Sequence, residues 1–213
     1  MTNFSRQTDI IHPDELGMTI DIAGAGGIGS WTAVALTRIG CVNLRVFDPD
    51  KIEEVNVPSQ AYNFKEVGID KVIALGVKLA AINPEISFSG SCSKYSPTGR
   101  SLPNILILAV DSMKERKAIY GMVKNTDIWI IDGRMGGEEF RIYTAKTKDY
   151  AKCLDYSGEE TKDIPCSAKA IAYNTMIIGG LIASQVKRIA KKERVAPLLI
   201  GDLKTPFLME GGI

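Results

Sequence analysis

Residues 21–33 read DIAGAGGIGSWTA, with four glycines in the six positions from 24 to 29, directly after an apolar run. Gly24, Gly26 and Gly29 fit the spacing G-x-G-x-x-G, with Gly27 between them. A glycine loop opening a helix offers bare backbone N–H groups to phosphate oxygens, so this stretch is a nucleotide cradle. Asp48 follows Gly29 by 19 residues, where a carboxylate can accept both hydroxyls of a ribose. These two features fit any ribonucleotide, NAD included. The residues after Asp48 narrow the chemistry. Asp50, Asn56, Gln60 and Lys71 form a polar set able to surround a triphosphate, and Asp111, after a later apolar run, is placed to hold Mg²⁺. A metal-binding carboxylate with a lysine is phosphate chemistry, whereas hydride transfer needs neither.

Composition removes several other classes. The formal net charge is +1, which gives no electrostatic reason to expect nucleic acid or an anionic membrane as partner. The densest basic run, KRIAKKER at 187–194, reads as cations closing a helix C-terminus. His12 is the only histidine, which excludes most histidine-based triads and paired-histidine zinc sites. Cys41, Cys92, Cys153 and Cys166 are scattered without a C-x-x-C, so neither a zinc ribbon nor a disulfide framework is expected. The polar N-terminus is no signal peptide and the run TMIIGGLIA is too short to span a bilayer, so a cytoplasmic protein is expected.

Strand-length apolar runs alternate with helical segments and must position these residues. Strands are expected at 18–23, 42–48, 104–110 and 127–133, with a weaker one in ISFSGSC. Helices are expected from the glycine loop to Gly40, over 68–84, and from Ser112 to Lys124. Beyond 133 the pattern changes. EFRIYTAK alternates like an antiparallel strand, 148–165 reads as a loop, 168–190 as a long apolar helix, and the tail as a final hairpin ending in a flexible MEGGI. The expected fold is α/β and Rossmann-like: a mostly parallel sheet with helices on both faces and an antiparallel C-terminal extension, as a single domain over 1–213. Ligands of such sheets bind beyond the carboxyl ends of the strands, where the candidate residues lie.

The ordered set resembles the ThiF/MoeB family of adenylating enzymes, which also form the core of ubiquitin-activating enzymes. The resemblance rests on GAGGIGS, the strand-end pair Asp48 and Asp50, Asn56 and Gln60, Lys71 in a Gly-x-x-Lys context, Asp111 with Arg116 five residues on, and the N-terminal Arg6. It implies ATP rather than NAD. It also implies a reaction in which the C-terminal glycine carboxylate of a ubiquitin-like or sulfur-carrier protein attacks the α-phosphorus of ATP, giving an acyl-adenylate and pyrophosphate. Asp111 would then hold Mg²⁺, Lys71 would neutralise phosphate charge, and Arg6 would reach the neighbouring site of a homodimer.

Two positions depart from the pattern or extend it. The family arginine before the glutamine is Ser59 here, and Arg134, in DGRMGG, is either a substitute cation or a salt-bridge residue. The zinc tetrad of many relatives is absent, so Mg²⁺ alone is expected. Some relatives carry the acyl group on a cysteine after the fifth strand. Cys166, at an expected helix start with Lys169 nearby, is the candidate thiolate, and Cys153 is its rival. Three readings follow: an active adenylyltransferase, a catalytically weakened binding or scaffold subunit, and an NAD-dependent oxidoreductase.

Overall fold

The computed structural model describes residues 2–97, 101–154 and 170–213. Eight strands form one sheet in the order β3-β2-β1-β4-β5-β6-β7-β8. The parallel part comprises β1 (Ile20–Ala23), β2 (Asn43–Phe47), β3 (Ser87–Ser91), β4 (Ile105–Leu108) and β5 (Trp129–Gly136). Antiparallel pairing then adds β6 (Glu139–Lys146), β7 (Leu198–Asp202) and β8 (Phe207–Gly211).

The central strands are fully buried because helices cover both faces. Successive residues of β4 alternate between two cores, Ile105 and Ile107 facing one, Leu106 and Leu108 the other. The first core receives α1 (Gly27–Ile39), α2 (Lys71–Ile82) and α5 (Ala172–Ala190), and the second receives α3 (Met113–Val123) and α4 (Thr147–Leu154). Helix α1 stops at Gly40, whose φ of 104° suits a left-handed cap, with its N–H on the carbonyls of Leu36 and Thr37. Helices α1 and α5 pack closely at Gly179, where a Cβ would stand 2.8 Å from the Trp31 backbone. Lys187 and Arg188 lie in the last turn of α5, as the basic run implies. Among the described residues no helix is long and apolar enough to cross a membrane.

The structure corrects three expectations. The segment 148–165 is not wholly loop, because Thr147–Leu154 forms α4, an amphipathic helix burying Tyr150, Cys153 and Leu154. Helix α2 begins at Lys71 rather than 68, since Gly68 has φ of 89° and Asp70 is its extended N-cap. The MEGGI tail is not a flexible end, because Gly211 pairs with Leu198 and Ile213 packs on the second core.

Candidate functional site

The carboxyl ends of β1, β2, β4 and β5 surround a cavity of about 1020 Å³. At the end of β1 the chain turns sharply into α1. Gly24 has φ of 97°, and a Cβ there would lie 2.6 Å from the Ala109 carbonyl oxygen. A Cβ on Gly29 would lie 1.9 Å from the Gly24 carbonyl oxygen. These two glycines are required by backbone meeting backbone. Gly26 and Gly27 line the cavity together with Gly24, and Gly26 N-caps α1 without any side-chain bond. The first intrahelical bond is Ser30 N–H to the Gly26 carbonyl, so the amides of Gly27, Ile28 and Gly29 have no intrahelical acceptor. Free amides at the positive end of a helix form an anion site.

The β2 side supplies carboxylates and one cation. Asp48 is buried and accepts from the N–H groups of Ala25, at 2.6 Å, and Asp50, at 2.8 Å, so it fixes the glycine loop to the end of β2. Lys71 is the first residue of α2, held there by its own N–H on the Asp50 carbonyl. A cation at a helix N-terminus opposes the dipole. Here two carboxylates offset that cost, with Nζ 3.1 Å from Asp50 and 4.0 Å from Asp48, and the side chain is 8% exposed.

The loop from 53 to 66 makes two short helical turns and is stitched down by side chains. Ser30 Oγ accepts from Ala61 N–H, the Tyr62 hydroxyl donates to the Ala25 carbonyl, and Trp31 and Thr175 both donate to the Ser59 carbonyl. This places Gln60 in the cavity wall with a buried Oε1 that has no hydrogen-bond partner among the described residues. Asn56 lies elsewhere, its Oδ1 accepting from Glu53 N–H to cap the first turn, and it is not part of the wall.

Beyond β4, Asp111 is exposed at the cavity edge, and its neighbour Ser112 caps α3 by accepting from Glu115 N–H. Asp111 therefore has no capping duty. Arg116 is turned inward rather than lying on the helix face, and is 5% exposed. Its Nε donates to Asp132 at 2.8 Å and its Nη2 to the Gly133 carbonyl at 3.0 Å.

Asp132, on β5 and fully buried, is not among the sequence candidates, yet it organises this part of the wall. Besides Arg116 it accepts from Arg134, at 2.7 Å, and from the Tyr150 hydroxyl, at 2.7 Å. Arg134 also donates to the Cys153 carbonyl and stacks 4.3 Å from the Tyr143 ring centre. It is thus a salt-bridge residue that also lines the cavity. Burial disfavours its charge, but the Asp132 carboxylate outweighs this and raises its pKa. Burial and the same carboxylate push the Tyr150 phenol upward, so it stays a donor. The available signal was an aspartate closing a buried apolar run, WIIDG, but two of its three partners are 16 and 18 positions away in sequence.

One further expected participant is not in this wall, and another lies outside the described residues. Arg6 is exposed in the N-terminal turn, where Gln7 bonds the Ile39 carbonyl at the far end of α1, about 20 Å of helix from the glycine loop. Cys166 lies outside the described residues. Its rival Cys153 is fully buried, and burial with the Asp132 charge pushes its thiol up to about 11, which disfavours a thiolate nucleophile.

The ThiF family profile matches residues 16–205. The chain is 32% identical over 117 residues to ubiquitin-like modifier-activating enzyme 5 of Bombyx mori, covering 47% of this chain and 30% of that one. It is 41% identical over 70 residues to the enzyme of that name from Branchiostoma floridae, covering 33% and 17%. The chain therefore spans less than a third of the length of these relatives. Among solved structures, PaaA aligns with a TM-score of 0.77 and 21% identity over 99% of this chain and 68% of its own. E. coli MccB with ATP aligns with a TM-score of 0.75 and 16% identity over 94% and 65%. At these identities the structural likeness is one of fold. The family match covers nearly the whole chain, glycine loop and β5 wall alike, and by it this chain belongs to the ThiF family.

Proposed function

We propose that this protein, as a single adenylation domain, is an ATP-dependent adenylyltransferase. It activates the C-terminal glycine carboxylate of a ubiquitin-like or sulfur-carrier protein. The observation that carries this reading is Lys71, a cation buried at a helix N-terminus beside the glycine loop and facing Asp111 across one cavity. The names of the ubiquitin-like modifier-activating relatives and the MccB structure with ATP support it.

The residues fit the nucleotide. Uncommitted amides in the first turn of α1 suit phosphate oxygens, and the orphaned Gln60 Oε1 suits a donor from a ligand. The residues also fit magnesium held together with phosphates. No group of three or more metal-ligating side chains occurs among the described residues, and Mg²⁺ commonly takes one or two carboxylates plus substrate oxygens. Asp111 would be that carboxylate, and the bound ion would supply charge neutralisation at the phosphates.

The carboxylate is already an anion, so no general base is required. The barrier is electrostatic, because an anion must approach a polyanion. Lys71 and the α1 amides draw negative charge off the phosphates. As the carboxylate oxygen bonds to the α-phosphorus, the bond to the bridging oxygen breaks and pyrophosphate leaves with its electrons. Arg6, remote from its own cavity, is proposed to complete the site of a second copy in a homodimer. A cytoplasmic location and a Cys166 thioester belong to the same proposal.

Calorimetric titration with ATP·Mg²⁺ and NAD, followed by ATP–pyrophosphate exchange with small proteins encoded nearby, tests the reading. Binding of ATP but not NAD is expected, with exchange abolished in Asp111→Ala. Tight NAD binding without an ATP response would overturn it. Inactive Arg6→Ala and Asp111→Ala chains, mixed, should recover activity through hybrid dimers. A second reading, a nucleotide-binding scaffold subunit, is favoured by one observation: Ser59 leaves Lys71 as the one cation on its side of the cavity wall among the described residues. Nucleotide binding without exchange would select it.

A further inference from the structure

The charges around the cavity are unevenly distributed. On the β2 side Lys71 faces two carboxylates, Asp48 and Asp50. On the β5 side the ratio is reversed, since two guanidinium groups, Arg116 and Arg134, share the single carboxylate of Asp132. The third partner of Asp132, Tyr150, is held as a neutral phenol. Among the described residues this cluster carries one surplus positive charge, and such a charge, largely withdrawn from water, is costly unless an anion meets it. Both Nη1 atoms donate to no acceptor among the described residues, and of the two arginines Arg134 is the more open, with 18% of its side chain exposed against 6%. The other carboxylates of the wall are Asp111 and Glu115, and Glu115 pairs with Lys94 at 3.7 Å.

The order of strands shows which anion fits. Along the carboxyl edge run β2, β1, β4 and β5, each about 4.8 Å from the next. Lys71 belongs to the β2 side, the glycine loop to β1, Asp111 to β4 and Arg134 to β5. In phosphoryl transfer the attacking and leaving oxygens lie roughly in line. If the leaving phosphates lie toward Lys71, the nucleophile must enter from the opposite side, past Asp111, where the surplus charge waits.

We propose that Arg134, held in place by Asp132, binds the acceptor's carboxylate and aims it at the nucleotide. This rests on the adenylation reading above and adds the location of the second substrate. Arg134 is the binding group; Asp132 and Tyr150 are positioning residues. With Nε and Nη2 committed to Asp132 and the Cys153 carbonyl, Nη1 is left to give an incoming carboxylate a charged hydrogen bond, whose charge a neutral amide forfeits.

The test uses the full chain with α,β-methylene-ATP·Mg²⁺, in which the bond that would break is blocked. The probes are acetyl-Ala-Ala-Gly-Gly as the free acid and as its C-terminal amide, with affinities read by titration calorimetry. The nucleotide-loaded wild type should bind the acid at least about tenfold tighter than the amide, the scale of one charged hydrogen bond. Arg134→Gln should erase that preference while nucleotide affinity stays within about twofold, and Arg134→Lys should keep part of it. In the wild type, phenylglyoxal modification of Arg134, read by mass mapping, should be slowed by the acid and not by the amide. That measurement decides the matter if Arg134→Gln fails to fold. Equal protection by both peptides, or no acid preference in nucleotide-loaded wild type, would overturn the proposal alone. So would a tenfold loss of nucleotide affinity in Arg134→Gln with the preference intact, which would assign Arg134 to the phosphates. Failure of the wild type to bind the nucleotide would overturn the adenylation reading, and this proposal with it.

Discussion

The two sides of the cavity are built by different means. The β1–β2 side is shaped by backbone: Gly24 and Gly29 let three stretches of main chain approach more closely than any Cβ would permit, and the hydrogen bonds of Asp48 go to main-chain amides. The β5 side is shaped by side chains, with one carboxylate collecting two arginines and a tyrosine from α3, β5 and α4. The contrast teaches that a site can be rigid for two unrelated reasons. The first side is intolerant of volume and the second of lost charge.

The largest effect should come from adding one carbon to the backbone-built side. Gly29→Ala puts a Cβ 1.9 Å from a carbonyl oxygen that cannot swing away, so a loss of about 5 kcal/mol or more is expected, seen in urea denaturation or as failure to express folded protein. A stable variant would mean that the turn can relax. On the other side, Asp132→Ala leaves buried Arg116 and half-buried Arg134 without their anion and should cost about 3–5 kcal/mol in the same measurement. If it costs less than about 1 kcal/mol, the network is not what holds that wall.

Smaller changes sharpen the contrast. Ser59 contributes backbone groups to the loop's hydrogen bonds, its N–H to the Asn56 carbonyl and its own carbonyl to Trp31 and Thr175, so Ser59→Arg should fold and add a cation beside Lys71. Severalfold tighter ATP·Mg²⁺ binding by calorimetry is expected; weaker binding would mean the Lys71 side is already electrostatically complete. The mildest probe is iodoacetamide at pH 8. Exposed Cys92 should react while Cys41, pushed by burial to about 12, and Cys153, pushed by burial to about 11, remain protonated and covered. Asp132→Ala should speed labelling of Cys153 in two ways, by loosening its cover and by removing a negative charge that raises the thiol pKa.

The same division explains what could be read from sequence. Local geometry announces itself. GAGGIGS, the apolar run of β4, the stop at Asn83-Pro84 and the alternation of β6 all follow from residues near one another, and the parallel sheet with its antiparallel extension follows from their order. Lys71, Asp111 and Gln60, singled out because their types suit phosphate chemistry, line one cavity. The failures are non-local. Asn56 has the right type but spends its oxygen on a cap. The eight residues of α4 are too few for a strong periodic signal, although Tyr150, Cys153 and Leu154 carry the i, i+3, i+4 spacing. Asp132 looks like an ordinary strand end until tertiary structure brings Arg116 and Tyr150 to it.

Helix α4 is too short to persist alone, since isolated helices below about 12–15 residues are marginal in water. It is secured by its apolar side, by the Tyr120–Tyr150 ring contact to α3 at 5.5 Å, and by the phenol bonded to Asp132. Its detachment must therefore uncover the carboxylate on which both arginines depend. In the language of hydrogen exchange, α4, the start of α3 and the end of β5 share one opening event, whose free energy lies below that of the central strands. Deuterium uptake by the amides of this short surface helix would then report on the integrity of the cavity wall beneath it.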